Sequence, residues 1–149
     1  MISNEYVSVI GLGAMGLGMA RSLLRAGHFV TGCDVRQAAC NNLVAAGGRI
    51  ASTPAEAADG ATIVVLVVVN AAQAEEVLFG ADGAVKAMKP GSVLIASPTL
   101  SPAEAQSFEG RAAEKGVLYL DAPISGGSAK AEAGALTIMA SGSAQAFDA

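Results

Sequence analysis

The chain has 149 residues, of which 52% are hydrophobic, 15% charged and 4% aromatic; this is enough for one domain with a sizeable core, and it excludes a disordered chain. The formal net charge of -4 argues against a nucleic-acid-binding protein, because such proteins need basic surface to neutralise phosphates. With two cysteines, no signal-peptide pattern and no apolar run near the ~18 residues of a membrane helix, the sequence predicts a cytoplasmic protein rather than a disulfide scaffold or a membrane protein.

The low proportion of charged residues predicts a partly covered surface. A soluble surface commonly carries roughly 25–35% charged residues, whereas this chain has 15% in total. We therefore expect another domain or a second subunit to cover part of it, and a homo-oligomer for the full-length protein.

Short β-branched runs alternate with alanine-rich helical stretches along the chain. Tyr6–Ile10 is predicted as the first strand, and a helix follows over residues 15–26, which Gly27 ends. Phe29–Cys33 is predicted as the second strand, and a helical segment follows over residues 37–46.

Two later helices have clear start signals. Residues 53–56 (Thr-Pro-Ala-Glu) and 101–104 (Ser-Pro-Ala-Glu) both have a capping-box pattern with proline at the first helical position. Between them, residues 63–69 form an uninterrupted aliphatic run, which is typical of a central strand in a parallel sheet covered by helices on both faces.

Further strands are predicted over residues 92–96, 117–121 and 136–140, and a last helix begins after Ser143. The repeated strand–helix order predicts a Rossmann-type α/β fold, with a doubly wound, mostly parallel sheet and helices on both faces. We expect residues 1–149 to form a single domain.

The first strand runs directly into a glycine-rich loop with the pattern G-x-G-x-x-G. Gly11 allows a tight turn, Gly13 lets the backbone approach a pyrophosphate, and Gly16 lets the following helix pack closely on the strand. Because a helix N-terminus favours an anion, the loop predicts a dinucleotide site. The alternative is a glycine-rich turn without a ligand.

Asp34 ends the second strand about 20 residues after the loop, where an acidic side chain accepts hydrogen bonds from the adenosine ribose and repels a 2′-phosphate. It predicts NAD over NADP. Arg36 could accommodate the phosphate, so NADP stays open as the less favoured alternative. The candidate cofactor-binding residues of this region are Gly11, Leu12, Gly13, Ala14, Met15, Gly16, Asp34 and Val35.

The segment VIGLGAMGLGMA, residues 9–20, resembles the opening of the β-hydroxyacid dehydrogenase family, the group of 3-hydroxyisobutyrate dehydrogenase and tartronate semialdehyde reductase. Ser22 departs from the family pattern, which has Asn or His there. The resemblance implies an oxidoreductase of which this chain is the NAD-binding domain.

A second segment, DAPISGG at residues 121–127, is similar to the substrate-binding DAPVSGG of that family. It follows a predicted strand at the carboxyl edge of the sheet, where such folds bind ligands. Ser125 offers a hydroxyl, and Gly126 and Gly127 offer backbone N–H groups suited to a carboxylate. A plain Ser-Gly-Gly turn is the alternative.

Two weaker similarities complete the predicted site. Residues 97–102 (SPTLSP) are similar to the family loop SSTxxP, which implies that Thr99 contacts the nicotinamide side of the cofactor. Val68, Val69 and Gln73 correspond to residues that line the adenosine, although Val69 stands where the family usually has proline.

The resemblance also implies what this chain lacks. The catalytic lysine of the family lies in a following helical domain, so we predict no catalytic residue here and an inactive isolated domain. Lys130, the lysine closest to the substrate loop, is interpreted as a solvated residue at a helix start. Cys33 and Cys40 lack metal-ligand spacing, so no metal site is predicted.

The complete enzyme is expected to move hydride between NAD and the hydroxyl of a small β-hydroxycarboxylate or its semialdehyde; the sequence does not choose among 3-hydroxyisobutyrate, glycerate and sugar acids such as threonate. The alternative is a catalytically silent relative that serves as an interaction or oligomerisation module. An imine-reductase-like enzyme is disfavoured by the carboxylate loop at Ser125 and by Asp34.

Overall fold

A seven-stranded sheet runs through the molecule in the computed structural model, which describes residues 3–149. Seven strands form this sheet: β1 (Tyr6–Ile10), β2 (Phe29–Cys33), β3 (Arg49–Ile50), β4 (Ile63–Leu66), β5 (Val93–Ala96), β6 (Leu118–Asp121) and β9 (Ser141–Gly142). Two further strands, β7 (Ile124–Ser125) and β8 (Thr137–Ile138), form a separate two-stranded sheet. The α-helices are α1 (Ala14–Arg25), α2 (Gln37–Ala45), α3 (Pro54–Ala58), α4 (Ala71–Phe79), α5 (Pro102–Ala113), α6 (Gly127–Ala133) and α7 (Ala144–Asp148), with one 3-10 turn at Val85–Ala87.

The strand order β3-β2-β1-β4-β5-β6-β9 is that of a doubly wound sheet. The first six strands are parallel, and β9 pairs antiparallel with β6 at the edge. The order reverses between β1 and β4, and such switch points open a crevice at the carboxyl ends of the strands. The predicted Rossmann-type α/β fold is confirmed.

Helices cover both faces of this sheet. One face packs α3, α4 and α5 on a core that includes Leu66, Leu94 and Phe108. The other face packs α1 and α2 on a core that includes Val9 and Leu43. Strand β4 is buried on both faces, as its unbroken aliphatic sequence predicts.

The structure corrects two predicted strands. The run over residues 63–69 leaves the sheet after Leu66 and turns into α4, whose first turn Asn70 caps through its side chain. Residues 136–140 do not join the main sheet as a parallel strand. Thr137–Ile138 instead pairs antiparallel with Ile124–Ser125 in a separate two-stranded sheet, because a short apolar segment does not specify its partner.

The two predicted capping boxes differ. Ser101 Oγ accepts from the N–H of Glu104 at 3.1 Å, and the Glu104 carboxylate accepts from the N–H of Ser101 at 2.8 Å, which completes the box. Thr53 caps the N–H of Glu56, but the Glu56 carboxylate accepts from the N–H of Ser52 instead of Thr53. Within residues 3–149, no helix is long and apolar enough to cross a membrane.

Candidate functional site

The glycine loop lies between β1 and α1 and requires glycine at two positions for different reasons. Gly11 has a φ of +98°, and a Cβ there would lie 2.2 Å from the carbonyl oxygen of Val67. A Cβ on Gly16 would lie 1.8 Å from the carbonyl oxygen of Gly11. Neither position tolerates a side chain, since both are closed by backbone atoms.

Gly13 differs, because the space beside it is open. Among the described residues other than its two chain neighbours, the only atom within 4 Å of a Cβ built there is Nη2 of Arg36, at 3.7 Å. Gly13 is also the N-cap of α1 and supplies no side-chain hydrogen bond to the first turn. The N–H groups of that turn, including those of Ala14 and Met15, thus have no capping side chain, and an uncapped helix N-terminus of this kind favours an anion.

Asp34 connects the end of β2 to this loop. Its Oδ2 accepts from the N–H of Leu12 at 2.7 Å, and its Oδ1 accepts from the N–H of Arg36 at 2.8 Å. Burial raises the pKa of Asp34, but the hydrogen bonds from Arg36 and Leu12 outweigh burial and leave the pKa below its usual value. The carboxylate is therefore charged at neutral pH, and Val35 beside it is fully exposed.

The loop after β4 lies directly against the glycine loop. The N–H of Val67 donates to the carbonyl of Ile10 at 2.8 Å, and Val68 is half-buried against the core. Val69 is exposed, and its N–H donates to Oε1 of Gln73 at 2.9 Å. The side chain of Gln73 thus shapes this loop, in addition to its predicted place beside the adenosine.

The loop after β5 continues along the same edge. The N–H of Ser97 donates to the carbonyl of Leu66 at 3.0 Å, which joins this loop to the end of β4. Ser97 and Pro98 are buried, whereas Thr99 is exposed. Thr99 is therefore accessible at the carboxyl edge of the sheet. It follows β5, which lies two strands away from β1 in the sheet.

The segment Ser125–Gly126–Gly127 runs from the end of β7, which comes next after β6 in the chain, into the start of α6. Gly126 has a φ of +138° and Gly127 a φ of +79°, both in the region that favours glycine. All three residues are exposed. Helix α6 packs on α1, where a Cβ on Gly18 would lie 2.9 Å from the backbone nitrogen of Glu132.

Asp121, the first residue of this motif, is partly buried at the end of β6. Its Oδ1 is buried and has no hydrogen-bond partner within residues 3–149. Burial raises the pKa of Asp121. Oδ1 of Asp121 therefore lacks a hydrogen-bond donor, whereas both carboxylate oxygens of Asp34 have one.

The predicted cofactor and substrate residues thus follow the carboxyl ends of five strands, β2, β1, β4, β5 and β6, which are consecutive in the sheet. A cavity of about 900 Å³ lies elsewhere, between α5 and the β6–β9 edge, where Gln106, Tyr119 and Ser143 contribute to its lining.

Other side chains that could carry chemistry were not predicted to belong to this edge. Burial raises the pKa of Cys33 to about 11, so its thiol is protonated at neutral pH. Lys130 is exposed on α6. In the part of the chain that the structure describes, no three His, Cys, Asp or Glu residues come together to hold a metal ion.

Two relationships at the site were missed by sequence reasoning. The backbone of Val67 closes on Gly11, which depends on the pairing of β1 with β4. Arg21 and Arg25 of α1 both bind Glu132 of α6, over 100 residues later in the chain. The spacing of the two arginines, one helical turn apart, was the signal available for a shared partner.

Comparison with known proteins identifies the family. The family described as the NAD binding domain of 6-phosphogluconate dehydrogenase matches residues 6–149. L-threonate dehydrogenase of Cupriavidus necator is 50% identical over 97% of this chain and 48% of that protein. Mitochondrial 3-hydroxyisobutyrate dehydrogenase of Mus musculus is 37% identical over 95% of this chain and 42% of that protein.

A crystal structure of 3-hydroxyisobutyrate dehydrogenase from Salmonella typhimurium superimposes with a TM-score of 0.93 at 45% identity, over 97% of this chain and 50% of that one. The chain spans about half the length of the curated relatives that it matches. It belongs to the family of the NAD-binding domain of 6-phosphogluconate dehydrogenase, and the resemblance to the β-hydroxyacid dehydrogenases is confirmed.

Proposed function

We propose that this domain binds NAD in preference to NADP, and that the protein carrying it transfers hydride between NAD and a small β-hydroxycarboxylate. The observation that carries this proposal is the hydrogen bond between Asp34 and the N–H of Leu12. It ties a charged carboxylate to the glycine loop, where an adenosine ribose follows a pyrophosphate in this fold. A 2′-phosphate would meet this negative charge at close range.

The open face of Gly13 fits a nicotinamide dinucleotide. The N–H groups at the start of α1 would bind the pyrophosphate, and Asp34 would accept hydrogen bonds from the ribose. Val35, Val68, Val69 and Gln73 would border the adenosine. Thr99, exposed further along the edge, would contact the nicotinamide side.

Bound NAD supplies the hydride acceptor, and the chain's own residues hold the substrate. Ser125 Oγ and the N–H groups of Gly126 and Gly127 would bind its carboxylate, because this exposed loop offers donors without bulky side chains. The proton acceptor is proposed to be a lysine of a following helical domain, as the resemblance implies. The domain alone would then bind the dinucleotide without turnover.

The substrate class is a hydroxylated short-chain carboxylate. The relatives are named for L-threonate, L-serine and 3-hydroxyisobutyrate, which share a carboxylate and a hydroxyl group. We propose L-threonate as the first substrate to test, since the relative named for it is 50% identical.

Calorimetric titration of this chain with NADH and NADPH tests the cofactor. We expect NADH to bind at least about tenfold more tightly than NADPH, a difference of about 1.4 kcal/mol. Asp34→Asn keeps an acceptor for Leu12 but removes the charge, so it should reduce this preference. Asp59→Asn, an exposed residue at the end of α3, makes the same charge change and should leave the preference intact. Equal or tighter NADPH binding would contradict the proposal.

Steady-state kinetics of the longer protein that contains this domain test the substrate site. Ser125→Ala should raise the KM for L-threonate by about tenfold, because a hydrogen bond to a charged group contributes about 1.5–3 kcal/mol. Ser107→Ala, an exposed serine in α5, is the matched control. An unchanged KM in Ser125→Ala would place the carboxylate elsewhere.

A further inference from the structure

Helix α6 docks along one face of α1. The α1 residues in contact with it have the spacing i, i+3, i+4 and i+7, which places them on one face of a helix. They are Gly18, Arg21, Ser22 and Arg25. A Cβ on Gly18 would lie 3.0 Å from the Cβ of Ala131, and a Cβ on Gly134 would lie 2.7 Å from Oγ of Ser22. Arg21 and Arg25, which complete this face, both pair with Glu132.

These contacts also fix the direction of the two helices. Gly18 meets Ala131, and Ser22, one turn further along α1, meets Gly134, which caps the C-terminal end of α6. The helices therefore run in the same direction, and their N-terminal ends lie at the same end of the pair. Gly13 precedes one of these ends and Gly126 precedes the other.

Glu132 makes the polar part of this contact. Its Oε1 lies 2.9 Å from Nη1 of Arg25, and its Oε2 lies 3.6 Å from Nη1 of Arg21. Nη2 of Arg25 also donates to the backbone carbonyl of Glu132. One acidic residue thus receives two arginines from successive turns of α1.

Helix α6 has little apolar surface with which to hold its position. It has seven residues, and Ala131 is its buried residue. Burial of one alanine contributes little free energy, since the hydrophobic gain is proportional to buried apolar area. Glu132 and its arginines therefore supply the polar contacts that add to the close packing of this helix at Gly18.

We propose that Glu132 is a positioning residue, which through Arg21 and Arg25 fixes the Ser125–Gly126–Gly127 loop relative to the dinucleotide loop on α1. This inference rests on the proposed function of that loop in binding the substrate carboxylate. The pairs are about half exposed, where ion pairs add little to global stability. Their effect is on the position of the Ser125–Gly126–Gly127 loop relative to the dinucleotide loop.

NMR relaxation of the 149-residue chain tests the positioning directly. Glu132→Gln should lower the 15N order parameters of the Gly126 and Gly127 amides, from about 0.85 towards 0.6. Glu75→Gln, which breaks the similarly exposed pair with Arg111 on α5, should leave them unchanged. Unchanged order parameters in Glu132→Gln would overturn the proposal, whatever the cofactor or substrate proves to be.

Kinetics of the longer protein give the functional readout, with L-threonate as the probe. Glu132→Gln should raise the KM for L-threonate about three- to fivefold, while the dissociation constant for NADH stays within about twofold. Arg25→Gln should have a smaller effect, and the double variant should be no worse than Glu132→Gln, since both act through one contact. Additive effects in the double variant would overturn the proposal.

The two proposals fail in distinguishable ways. If the unmodified protein does not oxidise L-threonate or its relatives, the proposed substrate class fails, and the order parameters of Gly126 and Gly127 still decide the role of Glu132. If L-threonate is oxidised and Glu132→Gln lowers kcat and the melting temperature without a change in KM, Glu132 is merely structural.

Discussion

The guanidinium group of Arg36 covers the carboxylate of Asp34, with Nε 3.2 Å from Oδ1 and Nη2 3.4 Å from Oδ2. The N–H groups of Arg36 and Leu12 also donate to this carboxylate, so each of its oxygens has two donors. The side chain of Asp34 is 9% exposed and that of Arg36 is 61% exposed. Ribose hydroxyls can therefore reach Asp34 only when the side chain of Arg36 moves away.

We predict that Arg36→Ala strengthens NADH binding and weakens NADPH binding. Removal of the guanidinium leaves the Asp34 oxygens open to the ribose. Binding of NADH then no longer requires free energy to move the side chain of Arg36 off the carboxylate. The dissociation constant for NADH should fall about two- to fivefold. That for NADPH should rise about tenfold or more, because the variant loses a cation that could pair with the 2′-phosphate. Calorimetric titration measures both.

Arg49→Ala is the control for this change. Arg49 is an exposed arginine in the edge strand β3, and its removal alters the net charge of the chain equally. It should affect both dinucleotides alike and only slightly at physiological ionic strength, where charges separated by more than about 8 Å are largely screened. Weaker NADH binding in Arg36→Ala would mean that Arg36 holds Asp34 in the binding geometry instead of competing for it.

Two glycines within helices should respond oppositely to alanine. Gly16→Ala would place a Cβ 1.8 Å from the carbonyl oxygen of Gly11, so α1 would have to move off the loop. We expect a loss of about 2 kcal/mol or more in the free energy of unfolding. Apart from its chain neighbours and the backbone of its own helix, Gly110 in α5 has no described atom within 4 Å of its Cβ position, and Gly110→Ala should add about 0.5–1 kcal/mol.

Urea denaturation measures the change in the free energy of unfolding of both variants, and titration with NADH separates an effect on folding from an effect on binding. Gly16→Ala should also bind NADH much more weakly, because the N-terminus of α1 shifts relative to Gly13. Gly110→Ala should bind NADH normally. If Gly16→Ala were as stable as the unmodified chain, the close approach of α1 to Gly11 would not be required by the fold.

The parts of the site that belong to a motif with fixed residue spacing were predictable from sequence. Gly11, Gly13 and Gly16 follow a strand directly, and Asp34 ends the next strand, so a local pattern specifies both. The alternation of strands and helices likewise predicted the sheet. These features depend on near neighbours in the chain or on one βαβ unit.

The parts that depend on long-range packing were not predictable. Residues 136–140 have a strand-like composition, but only Thr137–Ile138 forms a strand, and it pairs with Ile124–Ser125 on the other side of α6 in the chain. The contact of Glu132 with Arg25 spans 107 residues, and no local pattern specifies it. The ion pair between Asp34 and Arg36 also depends on side-chain conformations, which the sequence does not specify.

The orphaned carboxyl of Asp121 predicts a stability that depends on pH. Burial raises its pKa in the folded state, so folding is favoured at low pH and this contribution is lost as pH rises through the raised pKa. Tyr119, two residues earlier on β6, is also buried, and its pKa is raised well above the usual range. Tyr119 therefore stays neutral at neutral pH, and we assign the pH dependence of stability on the acid side to Asp121.

Asp121→Asn should therefore raise the free energy of unfolding at pH 7, by no more than about 1 kcal/mol because Asp121 is only partly buried and solvent screens its charge. The difference from the unmodified chain should shrink as the pH falls through the raised pKa of Asp121, because the carboxyl group then takes up its proton in the folded state. Asp59→Asn, at an exposed position, should show no such gain at pH 7. Urea denaturation at several pH values provides the measurement, and a gain that grows on acidification would mean that Asp121 is stabilised as the carboxylate.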